Sequence, residues 1–440
     1  MKKLNVFIAA LTFAYSAQAQ NAGRDKGQLT IAEPLQQTEL NRGDAHLYSV
    51  NLKKGNRYIF SAFQAGIDIV VKLVDRSGKQ LAEKDSPNGT KGFERLAYIA
   101  RYDGLHQLQI SALDDSSNTR AGKYDLYVGQ QDQELVGKLA IENRKNIQTL
   151  DIDHFWEAYD SLKRANSFRD SVLVIQRLYI DRATEGFEDF LSVRGFTAPE
   201  YVRTIKAFPK FYQSIRPNTY ATKSAAVQIQ KVFDRFSELY PNFKPFKVNF
   251  AVGTLRTGGT VSNRYVLIGS EISTATNKTD LSEFNNSALA KVMAREGDVE
   301  QLIMNIVAHE CVHTQQSKKL EGEQCNLLTT SIMEGACDFI GELISGSQIN
   351  KVAQVYGNEN ERELAKAFFS EPCDNVDNWL YNMNSIKDGK PADLGYFMGY
   401  KIAQSYYNEQ ADKKQAITDI IEMKDPKLFL ERSRYKEKFR

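Results

Sequence analysis

The sequence predicts an α+β multidomain chain: an N-terminal antiparallel β-sandwich, jelly-roll-like, followed by a mainly α-helical domain that carries a small β-sheet. Three observations predict it. A length of 440 residues exceeds what one compact core organises, so two or three domains are expected. Residues 27–130 consist of short alternating or apolar runs, whereas from Asp151 onward apolar residues recur at helical spacing. Inside the helical half, two strand-like runs, Phe246 to Val252 and Arg264 to Gly269, flank the glycine-rich turn Gly253 to Gly259.

The β half follows from its runs and turns. Leu47 to Leu52, Arg57 to Phe63, Ile67 to Val74, Leu96 to Ala100, His106 to Ala112 and Tyr124 to Val128 read as strands. Turn signals separate them: Lys54-Gly55-Asn56, Arg76-Ser77-Gly78, Pro87-Asn88-Gly89 and Asp103-Gly104. Asp68, Asp75 and Asp85 read as turn residues rather than calcium ligands, and the lone His46 and His106 as structural. Residues 131–150 are polar and unpatterned, a linker or a first helix. Beyond them Phe155, Tyr159 and Leu162 share one helical face after Asp153, read as an N-cap. Further helices are expected over Ser171 to Arg182, Pro199 to Ile215 and Ser224 to Tyr240.

Composition excludes several classes. With 42% hydrophobic and 25% charged residues the chain is globular in type. Its 57 basic and 55 acidic residues leave a net charge of +2, no electrostatic footprint for nucleic acid. The basic run Lys427 to Arg440 is interleaved with Glu431 and Glu437 and reads as a solvated helix end. Lys2 and Lys3, the short apolar run Val6 to Tyr15, and Ala17-Gln18-Ala19 predict a cleavable signal peptide over residues 1–19. No later stretch approaches the ~20 apolar residues of a membrane span. The expected location is periplasmic or secreted, which permits disulfides. Four cysteines allow three complete pairings. Cys325 and Cys373 lie in polar stretches and are favoured for a bond; Cys311 and Cys337 lie in expected helices and read as buried thiols.

The chemistry is concentrated at Ala308-His309-Glu310-Cys311-Val312-His313. Asp298 can cap this helix, and Val299, Leu302, Ile303, Ile306 and Val307 give it an apolar stripe. Residues four apart on a helix lie one turn above each other, so both imidazoles can reach one zinc ion. Glu310, beside the first ligand, is placed to act on water without filling a coordination position. A catalytic zinc needs a third protein ligand. No histidine follows His313, which excludes a third His and leaves a carboxylate or a cysteine. Glu334, 21 residues on in Met333-Glu334-Gly335-Ala336-Cys337-Asp338, is the best candidate; Glu321, Glu323, Cys337 and Glu342 are weaker. Asp338, one turn after Glu334, can receive the second N–H of a ligating imidazole.

Two resemblances follow from these residues. Asp44-Ala45-His46-Leu47-Tyr48, Lys54-Gly55, Asp68 leading into Lys72 to Gly78, and Gly122-Lys123-Tyr124-Asp125-Leu126 together resemble a bacterial pre-peptidase C-terminal domain. That resemblance implies an accessory module of a secreted peptidase, with a protein or glycan as its ligand. The helix of His309 followed by Glu334-Gly335-Ala336-x-Asp338 is similar to gluzincin metallopeptidases. Over residues 151–410 the chain further resembles a bacterial family of predicted zinc-dependent proteases, through Asp153 to Asp160, Phe208 to Tyr212, Gly258-Gly259-Thr260, both metal helices and Leu394 to Tyr400. The resemblance implies a zincin-type metallopeptidase domain over 151–440, one Zn2+ per chain, and a peptide or protein substrate.

The expected reaction is peptide-bond hydrolysis by a zinc-activated water, with Glu310 as general base. Tyr396 and Tyr400, one turn apart, are the candidate oxyanion donors, against a packing role for the Gly395-x-x-x-Gly399 helix that bears them. The run Arg264 to Gly269 is the candidate edge strand for an extended substrate. The rival readings are a non-catalytic envelope protein that uses the zinc fold as a binding or chaperone scaffold, and a zinc hydrolase of a non-peptide bond.

Overall fold

The structure is a computed structural model and describes residues 23–86, 89–113, 120–285, 287–322, 325–382 and 390–439. The expected signal peptide, the turn residues Pro87 and Asn88, and Glu323 lie outside the described residues. The chain divides into two compact units, Met1–Gln133 and Glu134–Arg440.

The first unit is a β-sandwich. Its strands are β1 (Arg24–Gln28), β2 (Leu35–Asn41), β3 (Ala45–Leu52), β4 (Arg57–Ala65), β5 (Ile69–Val74), β6 (Gln80–Lys84), β7 (Lys91–Ile99), β8 (Gly104–Ala112) and β9 (Ala121–Gln131). One sheet runs β1-β3-β8-β5-β6 and the other β2-β9-β4-β7. Every pairing is antiparallel except β1 with β3, which is parallel. Alternation places Val50 and Leu52, Tyr58 and Phe60, Val71 and Leu73, Leu108 and Ile110, and Leu126 and Val128 in one core. Each such side chain, fully buried, contributes roughly 1.5–3 kcal/mol. His46 is in that interior, bonded through Nδ1 to the Tyr124 hydroxyl at 2.7 Å. His106 stacks on Tyr102. Asp75 accepts from the Ser77 and Lys79 amides, the local turn its sequence suggests.

The second unit begins inside the stretch expected as linker or helix. There α1 (Gln133–Glu142) leads to β10 (Ile147–Gln148), which pairs with a strand a hundred residues later. Helices α2 (Leu150–Ser161), α3 (Phe168–Leu178), α4 (Glu185–Arg194), α5 (Ala198–Ala207), α6 (Pro209–Ser224) and α7 (Ala226–Leu239) follow. Asp153 is not the cap of α2; it lies within the first turn and pairs with Lys223 at 2.6 Å. The helix expected over 199–215 is two helices, because Pro209 starts a new one after Phe208 leaves helical geometry at φ −132°.

A mixed four-stranded sheet comes next, in the order β10-β11-β13-β12, with β11 (Lys247–Ala251), β12 (Gly259–Val261) and β13 (Tyr265–Gly269). β13 is wholly buried and central, parallel to β11 and antiparallel to β12. The sheet edge is therefore β12 and not the run Arg264 to Gly269, since an all-apolar strand needs a neighbour on both sides. The loop between β11 and β12 is tied from two sides. Buried phenols of Tyr179 and Tyr201 donate to the Val252 carbonyl, and that of Tyr212 to the Gly253 carbonyl. The buried Glu271 carboxyl accepts from the Gly253 and Leu255 amides at 2.6 and 3.0 Å.

The remainder is helical: α8 (Ser270–Ser273), α9 (Ala288–Met293), α10 (Val299–Gln315), α11 (Asn326–Ser345), α12 (Lys351–Glu359), α13 (Glu361–Ser370), α14 (Leu394–Glu409), α15 (Lys413–Ile421) and α16 (Pro426–Ser433). The closest approach is between α11 and α14. A Cβ at Gly335 would collide with the Tyr400 backbone nitrogen, and one at Gly399 with the Ser331 carbonyl oxygen. Cys325 and Cys373 form a disulfide that ties the start of α11 to the segment after α13, while Cys311 and Cys337 are free and buried. Among the described residues no helix is long and apolar enough to cross a membrane.

Candidate metal centre

The α10 helix starts where the Asp298 carboxylate accepts from the Gln301 amide at 3.1 Å. Ile303, Val307, Ala308, Cys311 and Val312 bury its inner face. This anchoring fixes the two histidines one turn apart, with ring centroids separated by 4.9 Å. The α11 helix packs beside it. Gly341 makes room there, since a Cβ at that position would already stand 3.4 Å from the His309 backbone nitrogen. Glu334 and Asp338, four apart on α11, both face α10.

Hydrogen bonds define the imidazole tautomers. Nδ1 of His309 lies 2.8 Å from the carboxylate oxygen Oδ1 of Asp338, so the ring nitrogen donates. Nδ1 of His313 lies 3.0 Å from Oε1 of Gln316. The Gln316 amide nitrogen is committed to the Met333 carbonyl at 2.7 Å, so its oxygen faces the ring and His313 also donates through Nδ1. In the neutral rings both Nε2 atoms then carry lone pairs. Both converge on one oxygen: Glu334 Oε2 lies 3.5 Å from Nε2 of His309 and 3.2 Å from Nε2 of His313.

Three acceptors facing one another, all well buried, require positive charge between them. The titration tendencies express that need. Burial alone would lower the His309 pKa, but Asp338 and Glu334 together raise it well above 6.5. His313 is raised too, against burial, mainly by Glu334. Burial would raise Glu334, yet the two imidazoles hold it well below the usual carboxylate range. A divalent cation meets the same requirement. Ligand atoms at ~2.0–2.1 Å from a tetrahedral zinc are about 3.3 Å apart, close to the 3.5 and 3.2 Å from Glu334 Oε2 to the two Nε2 atoms. The donor set of two imidazoles and one carboxylate therefore fits zinc. Cys337 is near as well: its sulfur and donor atoms of both histidines lie within 4.8 Å of one another. Burial pushes its thiol well above the ordinary value, whereas Glu334 Oε2 stands 3.5 and 3.2 Å from the two Nε2 atoms and its carboxyl is held well below the usual range.

Glu310 is buried under the sheet edge. A Cβ at Gly259 of β12 would stand 2.5 Å from Glu310 Oε1, so this strand residue and the carboxylate are in contact. Burial raises the Glu310 pKa, and the His309 and His313 charges oppose it. Asp338 has its second oxygen on the Asn350 amide at 2.6 Å. The two tyrosines of α14 diverge. The Tyr396 ring lies beside His309, with centroids 6.2 Å apart and planes 24° from parallel. The Tyr400 hydroxyl donates to Glu342 at 2.7 Å and is not brought to the imidazoles, and the glycines of its helix serve the packing against α11.

One contact has no counterpart in the sequence reading. The Tyr381 hydroxyl donates to Glu334 Oε1 at 2.8 Å. Its only trace in the sequence is the apolar triplet Trp379-Leu380-Tyr381 within an otherwise polar loop.

Residues 286–425, which contain every residue of this cluster, match the family described as "Predicted Zn-dependent protease (DUF2268)". No curated protein matches the chain. Among solved structures, the pre-peptidase C-terminal domain of collagenase from Bacillus anthracis is 19% identical over 24% of this chain and 95% of that one, with a TM-score of 0.20. PliG of Aeromonas hydrophila, a periplasmic lysozyme inhibitor of g-type lysozyme, is 13% identical over 24% of this chain and 100% of that one, with a TM-score of 0.20.

Proposed function

We propose that this chain is an exported zinc-dependent peptidase that hydrolyses peptide bonds with an activated water. The observation that carries the reading is the convergence of His309 Nε2, His313 Nε2 and Glu334 Oε2 with both Nδ1 atoms already committed as donors. The match of residues 286–425 to a family described as zinc-dependent proteases supports it at the level of reaction class.

His309, His313 and Glu334 would hold one zinc per chain. Zinc bound there supplies two things, a water pKa lowered towards ~7 and a polarised substrate carbonyl. Asp338 keeps His309 in the Nδ1–H tautomer, and Gln316 does the same for His313. Glu310 takes the proton of the attacking water and passes it to the leaving amine. Gly259, in contact with Glu310, puts the free edge of β12 beside the general base. An extended peptide adding to that edge would bring its backbone to Glu310. The signal-peptide pattern of residues 1–19 supports a periplasmic or secreted location for this activity. The β-sandwich would serve it as an accessory module with a protein or glycan ligand.

Metal analysis beside peptide hydrolysis tests the reading. The purified protein should hold one zinc per chain and cleave an unstructured protein such as casein. Glu310→Gln should keep the zinc and lose cleavage by about 10²–10⁴-fold, the range of a general base. His309→Ala and Glu334→Ala should lose both. Cleavage that survives Glu310→Gln, or a protein without zinc, would reject the proposal.

A further inference from the structure

Tyr381 is held where it is at a conformational cost. Its φ is +57°, a left-handed value that is unfavourable for a non-glycine residue. Its own packing does not offset this, since the residue is 62% exposed. Both flanks are nevertheless fixed. Leu380 is fully buried against Gly395, and Trp379 packs edge-on to Phe368 with centroids 5.0 Å apart. On the other side Asn382 and Asp393 exchange hydrogen bonds, with Asp393 N donating to Asn382 Oδ1 at 2.9 Å and Asn382 N to Asp393 Oδ1 at 3.3 Å. These anchors impose the unusual backbone, and its result is a phenol directed at Glu334.

The two oxygens of Glu334 are not equivalent. Oε2 faces both imidazoles, while Oε1 accepts from Tyr381. A carboxylate can bind a metal through one oxygen or through both. A hydrogen bond on Oε1 competes with the second mode for that oxygen. We propose that Tyr381 is a positioning residue that restricts Glu334 to one-oxygen ligation, so that a metal held there has four ligands, water included, rather than five. The inference rests on the metallopeptidase reading and adds a group contributed from outside both metal helices.

Cobalt substitution tests it without relying on turnover. Four-coordinate Co2+ absorbs visible light several times more strongly than five-coordinate Co2+. Tyr381→Phe, which removes only the hydroxyl, should still bind one cobalt per chain but show a several-fold weaker visible band, because Glu334 becomes free to use both oxygens. With zinc, kcat/KM should fall about 10–100-fold, the usual effect of losing a hydrogen-bond partner of a metal ligand. Tyr400→Phe, whose hydroxyl serves Glu342, should keep the parent band. A Tyr381→Phe spectrum that superimposes on the parent's overturns the inference, whatever happens to activity. Failure of the parent protein itself to bind cobalt or zinc would instead overturn the reading on which it rests.

Discussion

Nδ1 of His309 and Oδ1 of Asp338 are 2.8 Å apart, and the other Asp338 oxygen accepts from Asn350. The carboxylate is thus held by one partner while it orients another. Asp338→Asn removes the negative charge and can turn an amide N–H toward a ring nitrogen that must itself donate. Zinc affinity, measured against a competing chelator, should fall about 10–100-fold with the fold intact by circular dichroism. An unchanged dissociation constant would show that Asp338 does not orient the ligand.

Contact between Gly259 and Glu310 makes a second expectation. A methyl group on residue 259 would need the position within 2.5 Å of Glu310 Oε1. Gly259→Ala should therefore displace the carboxylate by a fraction of an ångström to an ångström and lower kcat/KM on the order of 10²-fold. Zinc content should not change, because the three atoms nearest such a methyl all belong to Glu310, which is not one of the proposed ligands. Equal activity in the two proteins would mean that Glu310 moves freely.

Glu271 links stability to pH. Burial pushes its carboxyl up to about 7 against the backbone amides of Gly253 and Leu255, whereas in the unfolded chain it titrates near 4.5. The folded state then binds more protons between those values. This contribution to stability is whole below pH 4.5 and is lost as the pH rises to about 7, a span worth at most about 3 kcal/mol. Asp151, also pushed up to about 7 by burial, adds an effect of the same sign. Urea midpoints measured from pH 4.5 to 8 should fall with pH less steeply in Glu271→Gln than in the parent. The variant should also be less stable, since the two backbone N–H groups are received by different oxygens of Glu271 and an amide offers only one oxygen in their place.

The disulfide spans 48 residues and encloses all of α11. On the chain-entropy account a loop of that length is worth about 4 kcal/mol. Cys325→Ser with Cys373→Ser should lower the denaturation free energy by roughly 2–4 kcal/mol. Cys325 also occupies the start of α11, where the Leu327 amide donates to the Cys373 carbonyl at 2.8 Å, so the bond and this hydrogen bond hold the same end. A double variant as stable as the parent in guanidinium titration would contradict this.

How much of this was legible in sequence depended on whether burial wrote a pattern. β3 and β8 were visible because Val50 and Ile110 alternate with less buried residues, and β4 because Tyr58, Ile59 and Phe60 form a buried apolar run. β1, β2 and β6 were not, because they lie at sheet edges and are largely exposed, which leaves no apolar period to read. The spacing of His309, Glu310 and His313 is a local property of one helix, so it survived translation into structure. The neighbours on α11 followed from the same logic once a third ligand was required. Tyr381 was hidden because its closeness to Glu334 is set by a loop path across 47 residues of chain, while Gly259 stood out as part of a glycine turn able to approach the cleft but not as the contact of Glu310. Tyr400 shows the reverse error of proximity in sequence: one turn from Tyr396, it faces a different helix.

The glycine contact between α11 and α14 has a consequence for how this domain can vary. Gly335 directly follows Glu334, and it is Gly335 whose backbone touches Gly399 and Tyr400. The tightest seam of the unit is thus also the mounting of Glu334, the proposed third ligand. A side chain introduced on either helix there would push the two backbones apart and carry Glu334 away from the imidazoles, so substitutions far from any substrate would read out as loss of metal rather than loss of fold.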